Sequence, residues 1–513
     1  MQTMPDRSSL WSSLDRNFDV LVIGGGATGL GVAVDAATRG YRTALVEAGD
    51  FAQATSSRAT KLVHGGVRYL ESGQIHLVRE ALEERSILLR AAPHLVRRQA
   101  FVVPVYRRWE LPYYGAGLLV YNLLAGRASL GPMRVMGAAV AEQVPGIART
   151  GLKGGVVYYD AQFNDARLAL ALARTALDHG ATAMNYVRCE RLIHEGGRVR
   201  GAVVRDAESG ATATVRARAT INATGIFSDE LRKLDDPGAT PLLALSRGTH
   251  IVVGPGALGG ETAFIVPKTR DGRVIFAIPW QGRVLIGTTD AAAPSPAMEP
   301  GHSEEEIHYL LEQIRPYLER PIGKSDILSV FSGLRPLVSG KAAKTSQLSR
   351  EHHLSCSAAG LITIAGGKWT TYRRMAEDTL NFAIRHGFLE AAPCVTRTLK
   401  IHGAAEGTGE YGSDEAEVEA LIAAEAGLAG RIDGALPYSW AQVVYAVRSE
   451  MARTVEDVLA RRTRALLLGA EAAVRCATAV TAVIARELGR DPVWEKAQVR
   501  EFTELAREFY LLR

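Results

Sequence analysis

Residues 19–47 read DVLVIGGGATGLGVAVDAATRGYRTALVE, and this stretch decides the fold. Asp19 to Ile23 is a short apolar run, the pattern of a buried parallel strand. Gly24, Gly26 and Gly29 then spell GxGxxG and open an apolar-periodic helix through Thr38, which Gly40 ends. Thr43 to Val46 reads as the returning strand, closed by Glu47. The three glycines serve a tight turn, close backbone approach to a pyrophosphate, and tight helix–strand packing. The helix N-terminus offers unpaired N–H groups and partial positive charge to phosphates. An acid at the end of the second strand is placed to bind ribose hydroxyls. GxGxxG alone is a weak signal; framed by strand, helix, strand and acid it marks a dinucleotide-binding unit.

The rest of the chain is organised around that unit. At 513 residues it exceeds one hydrophobic core, so two or three domains are expected. Charged residues are 22% and hydrophobic residues 47%, ordinary for a globular protein, and a net charge of +5 is too small and dispersed to argue for nucleic acid. Cys189, Cys356, Cys394 and Cys476 form no CxxC pair, which fits a reducing compartment and argues against a metal site or a disulfide framework. No apolar run reaches membrane-spanning length, and residues 1–16 read as a polar, frayed terminus without a signal-peptide core. A cytoplasmic protein is expected, free or attached to a membrane face without crossing it.

Residues 48–71, AGDFAQATSSRATKLVHGGVRYLE, follow the dinucleotide strand and are rich in hydroxyls and basic groups. Composition alone favours a solvated loop, but its place at the carboxyl ends of the strands favours wrapping an anionic ligand. Residues 74–92 form an amphipathic helix stopped by Pro93. Residues 101–135 mix aromatics and arginines around a short apolar core, Ala116 to Ala125, which suits either an interfacial segment or an internal helix. Residues 183–193 and 200–218 read as strands, and 218–225 as a further buried strand delivering Ala-Thr-Gly to the crevice. From Arg247 to Asp290 four strands alternate with Gly and Asp-Gly turns, an antiparallel block suited to a substrate-binding sheet. Residues 303–319 read as helical, FSGLRPL spans 331–337, and a last strand at 361–373 turns through Gly366-Gly367 into a helix. Residues 386–405 form a linker, and 412–513 are almost wholly helical, a cap to which packing or assembly, such as a homodimer, is assigned rather than chemistry.

Together GGGATGLG, TSSRATKLVHGGVRYLE, GLRPL, GTTD, GGKWTTYR and YAVRSEMARTVEDVLARRTR resemble the FAD-dependent glycerol-3-phosphate dehydrogenases, of the D-amino acid oxidase-like flavoprotein superfamily, from Phe18 to the C-terminus. The resemblance implies an α/β fold: a Rossmann-like FAD-binding domain (17–100, 151–240 and 325–385), an inserted antiparallel-sheet substrate and membrane-facing domain (101–150 and 241–324), and a C-terminal helical domain (386–513). It implies FAD held by Gly24, Gly25, Gly26, Ala27, Thr28, Gly29, Glu47 and Ala48 at the ADP half. Thr55, Ser56, Ser57, Lys61, Leu62, His64 and Gly65 would line flavin and pyrophosphate, with Gly225, Gly333, Gly367, Lys368 and Thr370 closing over the isoalloxazine. Arg68, Tyr69, His250, Arg335, Arg350 and Lys368 would form the pocket for glycerol 3-phosphate. Relatives continue Ala-Thr-Gly into Pro-Trp where this chain has Ile226-Phe227, so no flavin contact is carried over there.

The chemistry agrees. A phosphate dianion calls for planar, bidentate donors, and Arg68, Arg335 and Arg350 each lie in a turn-flanked context. Oxidation at C2 of glycerol 3-phosphate needs a base titrating near working pH, for which His64 and His250 are candidates; Arg335 and Lys368 complete the catalytic set. The resemblance implies a membrane quinone as electron acceptor. An oxygen-using glycerol-3-phosphate oxidase, an oxidase of another small hydroxy or amino acid, and a non-catalytic binding module are the rival readings.

Overall fold

The computed structural model describes residues 6–71, 73–339 and 351–512. Its first sheet is built as residues 19–47 dictate. The strand Asn17–Ile23 lies in parallel between Thr43–Val46 and Thr212–Asn222, and the helix Ala27–Thr38 makes the crossover. Ile362–Gly366 and Thr182–Met184 extend the parallel core on either side. An antiparallel hairpin, Val187–Glu195 with Arg198–Asp206, hangs on Thr212–Asn222, and His352–Cys356 pairs antiparallel with Ile362–Gly366, giving eight strands among the described residues. The carboxyl ends of four of these strands reach one edge, at Ile23, Val46, Asn222 and Gly366.

The second sheet has ten strands and is antiparallel except where Ala263–Val266 runs beside Val96–Val105. The expected block appears as Leu243–Val253, Ala263–Val266, Ile275–Trp280 and Arg283–Gly287. Strands expected in the dinucleotide part belong here too, two of them long. Gly154–Phe163 pairs along its length with Val96–Val105, and Ile327–Val338 pairs with Leu243–Val253. Both pairings are long-range, so an order read along the chain misplaces them.

The expected frayed N-terminus is also corrected. Arg7–Ser13 is a helix whose N-cap Asp6 accepts from Ser8 N, Leu10 and Leu14 are buried, and Arg7 pairs with Asp206. A polar sequence with two correctly spaced leucines is enough to dock one short helix. The cap is no appendage either: Leu466, Leu467, Val458 and Tyr510 share one core with Trp280 and Phe331 of the ten-stranded sheet. Among the described residues, no helix is long and apolar enough to cross a membrane.

Candidate active site

At the strand edge the chain turns back on itself as closely as atoms allow. A Cβ on Gly29 would stand 1.9 Å from Gly24 O, and one on Gly24 2.6 Å from Ala223 O. Ala27 and Thr28 open the helix, with Gly26 at its N-cap making no side-chain cap. The Ala27 N–H donates to Ser56 Oγ at 2.9 Å, which brings the 48–71 loop over the helix terminus. Glu47 accepts from Gly25 N at 2.6 Å and Gly49 N at 2.8 Å, so its carboxylate ties the glycine turn to the start of the 48–71 loop.

The same loop is pinned to three other elements. Thr55 donates to Leu334 O at 2.7 Å, Trp369 Nε1 donates to Ser56 O at 2.8 Å, and His64 N donates to Thr370 Oγ1 at 3.3 Å. Leu62 is buried in a short strand against Gln162, and Gly65 N donates to Tyr121 Oη at 2.8 Å. Gly225 (φ +59°) and Gly367 (φ +76°) close the edge in left-handed conformations that favour glycine. Lys368 Nζ lies 3.9 Å from the centre of the Tyr69 ring.

Across from this loop, register puts one face of two paired strands to use. Ser246, Gly248 and His250 stand opposite Arg335, Gly333 and Phe331, alternate residues that share a side of the sheet. Arg335 donates to Ser246 Oγ at 3.3 Å and Thr288 Oγ1 at 3.0 Å. Gly248 is small because a Cβ there would meet Arg335 Nη2 at 2.3 Å, and Gly333 because Arg58 of the loop packs on it at 2.8 Å. His250 is 2% exposed, stacks on Phe331 and meets Thr60 Oγ1 through Nε2 at 3.0 Å. Burial, then the positive charges of Arg335 and Lys61, hold its pKa well below the usual histidine value, so it is a neutral imidazole.

The structure thus gathers Thr55, Ser56, Gly333, His250, Arg335 and Thr370 around one loop. Lys61 joins it differently from the expectation that it lines the flavin and pyrophosphate. Its ammonium is fully buried, donating to Asp165 at 2.6 Å and Ser57 O at 2.8 Å, and so braces the loop from behind. Burial pushes its pKa down to about 7 against the pull of Asp165. Arg68 opens the short helix Arg68–Glu71, while its side chain and all of Arg350 lie outside the described residues.

Several residues went unread in the sequence. Arg464 Nη2 donates to Ser57 O at 2.7 Å and lies 3.2 Å from Asp165. Asp50, three residues past Glu47, is held by Arg461 at 2.5 Å and by Arg462. Arg58 reaches Glu299 and, at 3.2 Å, Tyr510. Their one visible signal is ARRTR at 460–464, a cationic run beside the apolar ALLL that a solvated helix face would not need.

A glycine turn at a helix terminus, an acid beside it and an antiparallel sheet packed on the same loop define a dinucleotide-dependent oxidoreductase, and the family matches make the dinucleotide FAD. The matching family models agree: "FAD dependent oxidoreductase" over residues 19–373, and "C-terminal domain of alpha-glycerophosphate oxidase" over 361–498. The human mitochondrial glycerol-3-phosphate dehydrogenase is 41% identical over 96% of this chain and 73% of its own. The Arabidopsis thaliana mitochondrial enzyme is 39% identical over 99% and 89%. The glycerol-3-phosphate dehydrogenase of Bacillus halodurans, solved with FAD, superposes with a TM-score of 0.81 at 28% identity over 99% of this chain and 98% of that one. The chain belongs to the FAD-dependent glycerol-3-phosphate dehydrogenase family.

Proposed function

We propose that this protein oxidises sn-glycerol 3-phosphate to dihydroxyacetone phosphate and delivers the electrons to a membrane quinone. The observation that carries the substrate is Arg335: a guanidinium held by Ser246 and Thr288 on the sheet face opposite the cofactor loop. Oriented through both terminal nitrogens, with Asp290 3.8 Å away, it is a pre-organised cation to which a phosphate would bind, with Lys368, Tyr69, Arg68 and Arg350 as further ligands.

FAD fits the cradle, because Gly24 and Gly29 leave no room for a Cβ and the N-cap residue Gly26 has no side chain to occupy the helix terminus. Gly24 to Ala27 with Thr28, Gly29, Ser56 and Glu47 would hold its ADP half; Ser57, His64, Gly65, Gly225, Gly367 and Thr370 would face the ring. When bound, FAD supplies the hydride acceptor for substrate carbon C2. The C2 hydroxyl proton goes to His64, which is partly exposed at the loop, whereas His250 is 2% exposed and engaged by Thr60. Neutral His250 instead forms a wall that adds no competing charge beside Arg335.

The acceptor reading rests on the helix Glu110–Ala125. Trp109, Tyr113, Leu119, Val120 and Leu123 are exposed on it, with Arg107, Arg108 and Arg127 at its ends, as an interfacial segment requires. Peripheral attachment at a cytoplasmic membrane face would give a lipid-dissolved quinone access to the enzyme. The homodimer expected from the helical cap belongs to the same proposal, and light scattering tests it.

The deciding experiment is turnover of glycerol 3-phosphate with a soluble quinone analogue beside oxygen, repeated on Arg335→Ala. Loss of a desolvated, charge-assisted contact of about 2–4 kcal/mol predicts a fall of about 30- to 1000-fold in kcat/KM for glycerol 3-phosphate and little change for glycerol. Equal losses on both substrates would assign Arg335 to the fold, and faster turnover with oxygen would make the enzyme an oxidase.

A further inference from the structure

From the cofactor loop a chain of polar groups runs into an otherwise apolar core. The Gly65 N–H donates to Tyr121 Oη at 2.8 Å, and the Tyr121 hydroxyl donates to Asp160 Oδ2 at 2.8 Å. Asp160 is paired with Arg85 at 2.5 Å, and Arg85 in turn donates to Ala128 O at 2.7 Å, just past the end of the Glu110–Ala125 helix. Tyr121 is 2% exposed among Leu62, Val78, Leu82, Leu118 and Tyr158. We propose that Tyr121 is a positioning residue, fixing the His64–Gly65 backbone against the flavin from the buried edge of that helix. This rests on the reading above that His64 and Gly65 face FAD.

The need for such a tie follows from the sequence. His64 is followed by Gly65 and Gly66, two residues with no side chain to pack, the second at φ +74°. Left to itself, that dipeptide would let His64 sample several positions. Two hydrogen bonds remove the freedom: Thr370 takes the N–H of His64, and Tyr121 takes the N–H of Gly65. Gly65 is glycine because of this approach, since a Cβ would stand 2.6 Å from Tyr121 Oη and 2.7 Å from Leu82.

The direction of the relay is also set. A buried phenol beside a carboxylate keeps its proton, and burial followed by Asp160 raises Tyr121 well above the usual tyrosine value. Its single proton points to Asp160, which leaves the oxygen lone pair for Gly65. Arg85 holds Asp160 in place through its own contact at 2.5 Å.

The test is flavin reduction by glycerol 3-phosphate in the FAD-loaded enzyme, using Tyr121→Phe, which keeps the ring and removes the oxygen. The expected result is full FAD content, a reduction rate lower by about ten- to a hundredfold, a KM close to wild type and a shifted pH profile of reduction. Leu118→Ala, on the same helix and equally buried but with no polar partner, controls for packing. It should melt earlier and reduce its flavin at the wild-type rate. A wild-type rate and pH profile in Tyr121→Phe, or an equal slowing in Leu118→Ala, overturns the proposal. His64→Asn is measured alongside. If it is slow while Tyr121→Phe is not, only the Tyr121 role falls; if it too is unaffected, the reading of His64 falls and takes this one with it.

Discussion

Two stretches grip the loop that follows Glu47, one from each end of the chain, and they do it by opposite physics. Residues 24–29 use the absence of side chains: backbone meets backbone at Gly29 and Gly24, and Ser56 is drawn onto the helix terminus. Residues 457–464 use the largest side chains available. Arg461, Arg462 and Arg464 are each 1% exposed and bind Asp50, Asp457, Asp165 and Ser57 O. A widened helical turn, Asp457–Arg462, turns two successive arginines toward Asp50. The first grip is local and needs only a tight contact. The second is long-range and carries the cost of burying ions, which is met only while every partner stays in place.

The largest expected effect breaks the first grip. Gly29→Ala puts a methyl 1.9 Å from a carbonyl oxygen that cannot move without moving the strand, whereas at Gly26 the nearest atom is Ser56 Oγ at 3.0 Å. The three glycines of the motif are therefore unequal. Gly29→Ala should yield protein without flavin colour, and Gly26→Ala a smaller loss. A yellow, stoichiometric Gly29→Ala enzyme would show that the turn relaxes and the contact matters little.

Next comes the second grip. Arg462→Met removes one of the two guanidinium groups on Asp50, leaving a buried carboxylate short of its partner. Such a break costs about 3–5 kcal/mol. Denaturant unfolding of the FAD-bound enzyme should show that loss, with flavin released earlier as the loop is freed. A midpoint unchanged within experimental scatter would mean that Arg461 and Asn185, which also bind Asp50, suffice alone.

These two grips differ in how far they could be read in advance. The βαβ unit, the antiparallel block and the Ala-Thr-Gly strand were legible because periodicity and glycine spacing are properties of neighbouring residues. The substrate face was legible in part: the resemblance supplied Arg335 and His250, but no pattern announces that Ser246 and Thr288 support the guanidinium. Lys61 was misplaced, since a lysine in a basic loop reads the same whether it faces a phosphate or a buried Asp165, 104 residues away. The cap's arginines were taken for packing, because nothing local separates an exposed helical arginine from one aimed at Asp50, 412 residues distant. Charge pairs across the fold are the part of a structure that a single sequence hides.

A weaker relative of the second grip sharpens the comparison. His402, in the expected linker, meets Asp178 at 2.6 Å and Asp414 at 2.9 Å, and so ties the cap to the helix Asp165–Asp178. Burial opposes its charge, but the hydrogen bonds to the two carboxylates outweigh it and push the pKa up to about 9 from the usual 6.5. A raised folded-state value means the tie is complete below pH 6.5 and is lost as pH climbs to 9. Asp178 is 45% exposed, so screening trims the contribution to about 1–3 kcal/mol. Stability should fall across that window in wild type and stay flatter in His402→Gln. Parallel pH curves would leave the tie without energetic weight.

The smallest effect on stability is expected where neither grip acts, on the Glu110–Ala125 helix, and there function rather than folding should respond. Sequence alone groups Leu118, Leu119 and Leu123 as the apolar core of an interfacial segment. The structure divides them: Leu118 is 3% exposed and part of the core, while Leu119 is 48% and Leu123 68% exposed beside Val120, Tyr113 and Trp109. Apolar surface of that extent on one helix face is unfavourable in water and matches the boundary between headgroups and acyl chains. Arg107 and Arg108 before the helix and Arg127 after it set positive charge at the rim, where anionic headgroups would lie. Leu119→Ser with Leu123→Ser removes the exposed apolar atoms without opening a cavity, so unfolding free energy should change by no more than about 0.5 kcal/mol. Flotation with vesicles of anionic phospholipid should fall sharply in the same variant, while turnover with a water-soluble quinone analogue stays at the wild-type level. Adding Leu118→Ser would confuse the result by damaging the core. A wild-type enzyme that stays at the bottom of the gradient, or a double variant that floats as well as wild type, would remove this helix as the anchor.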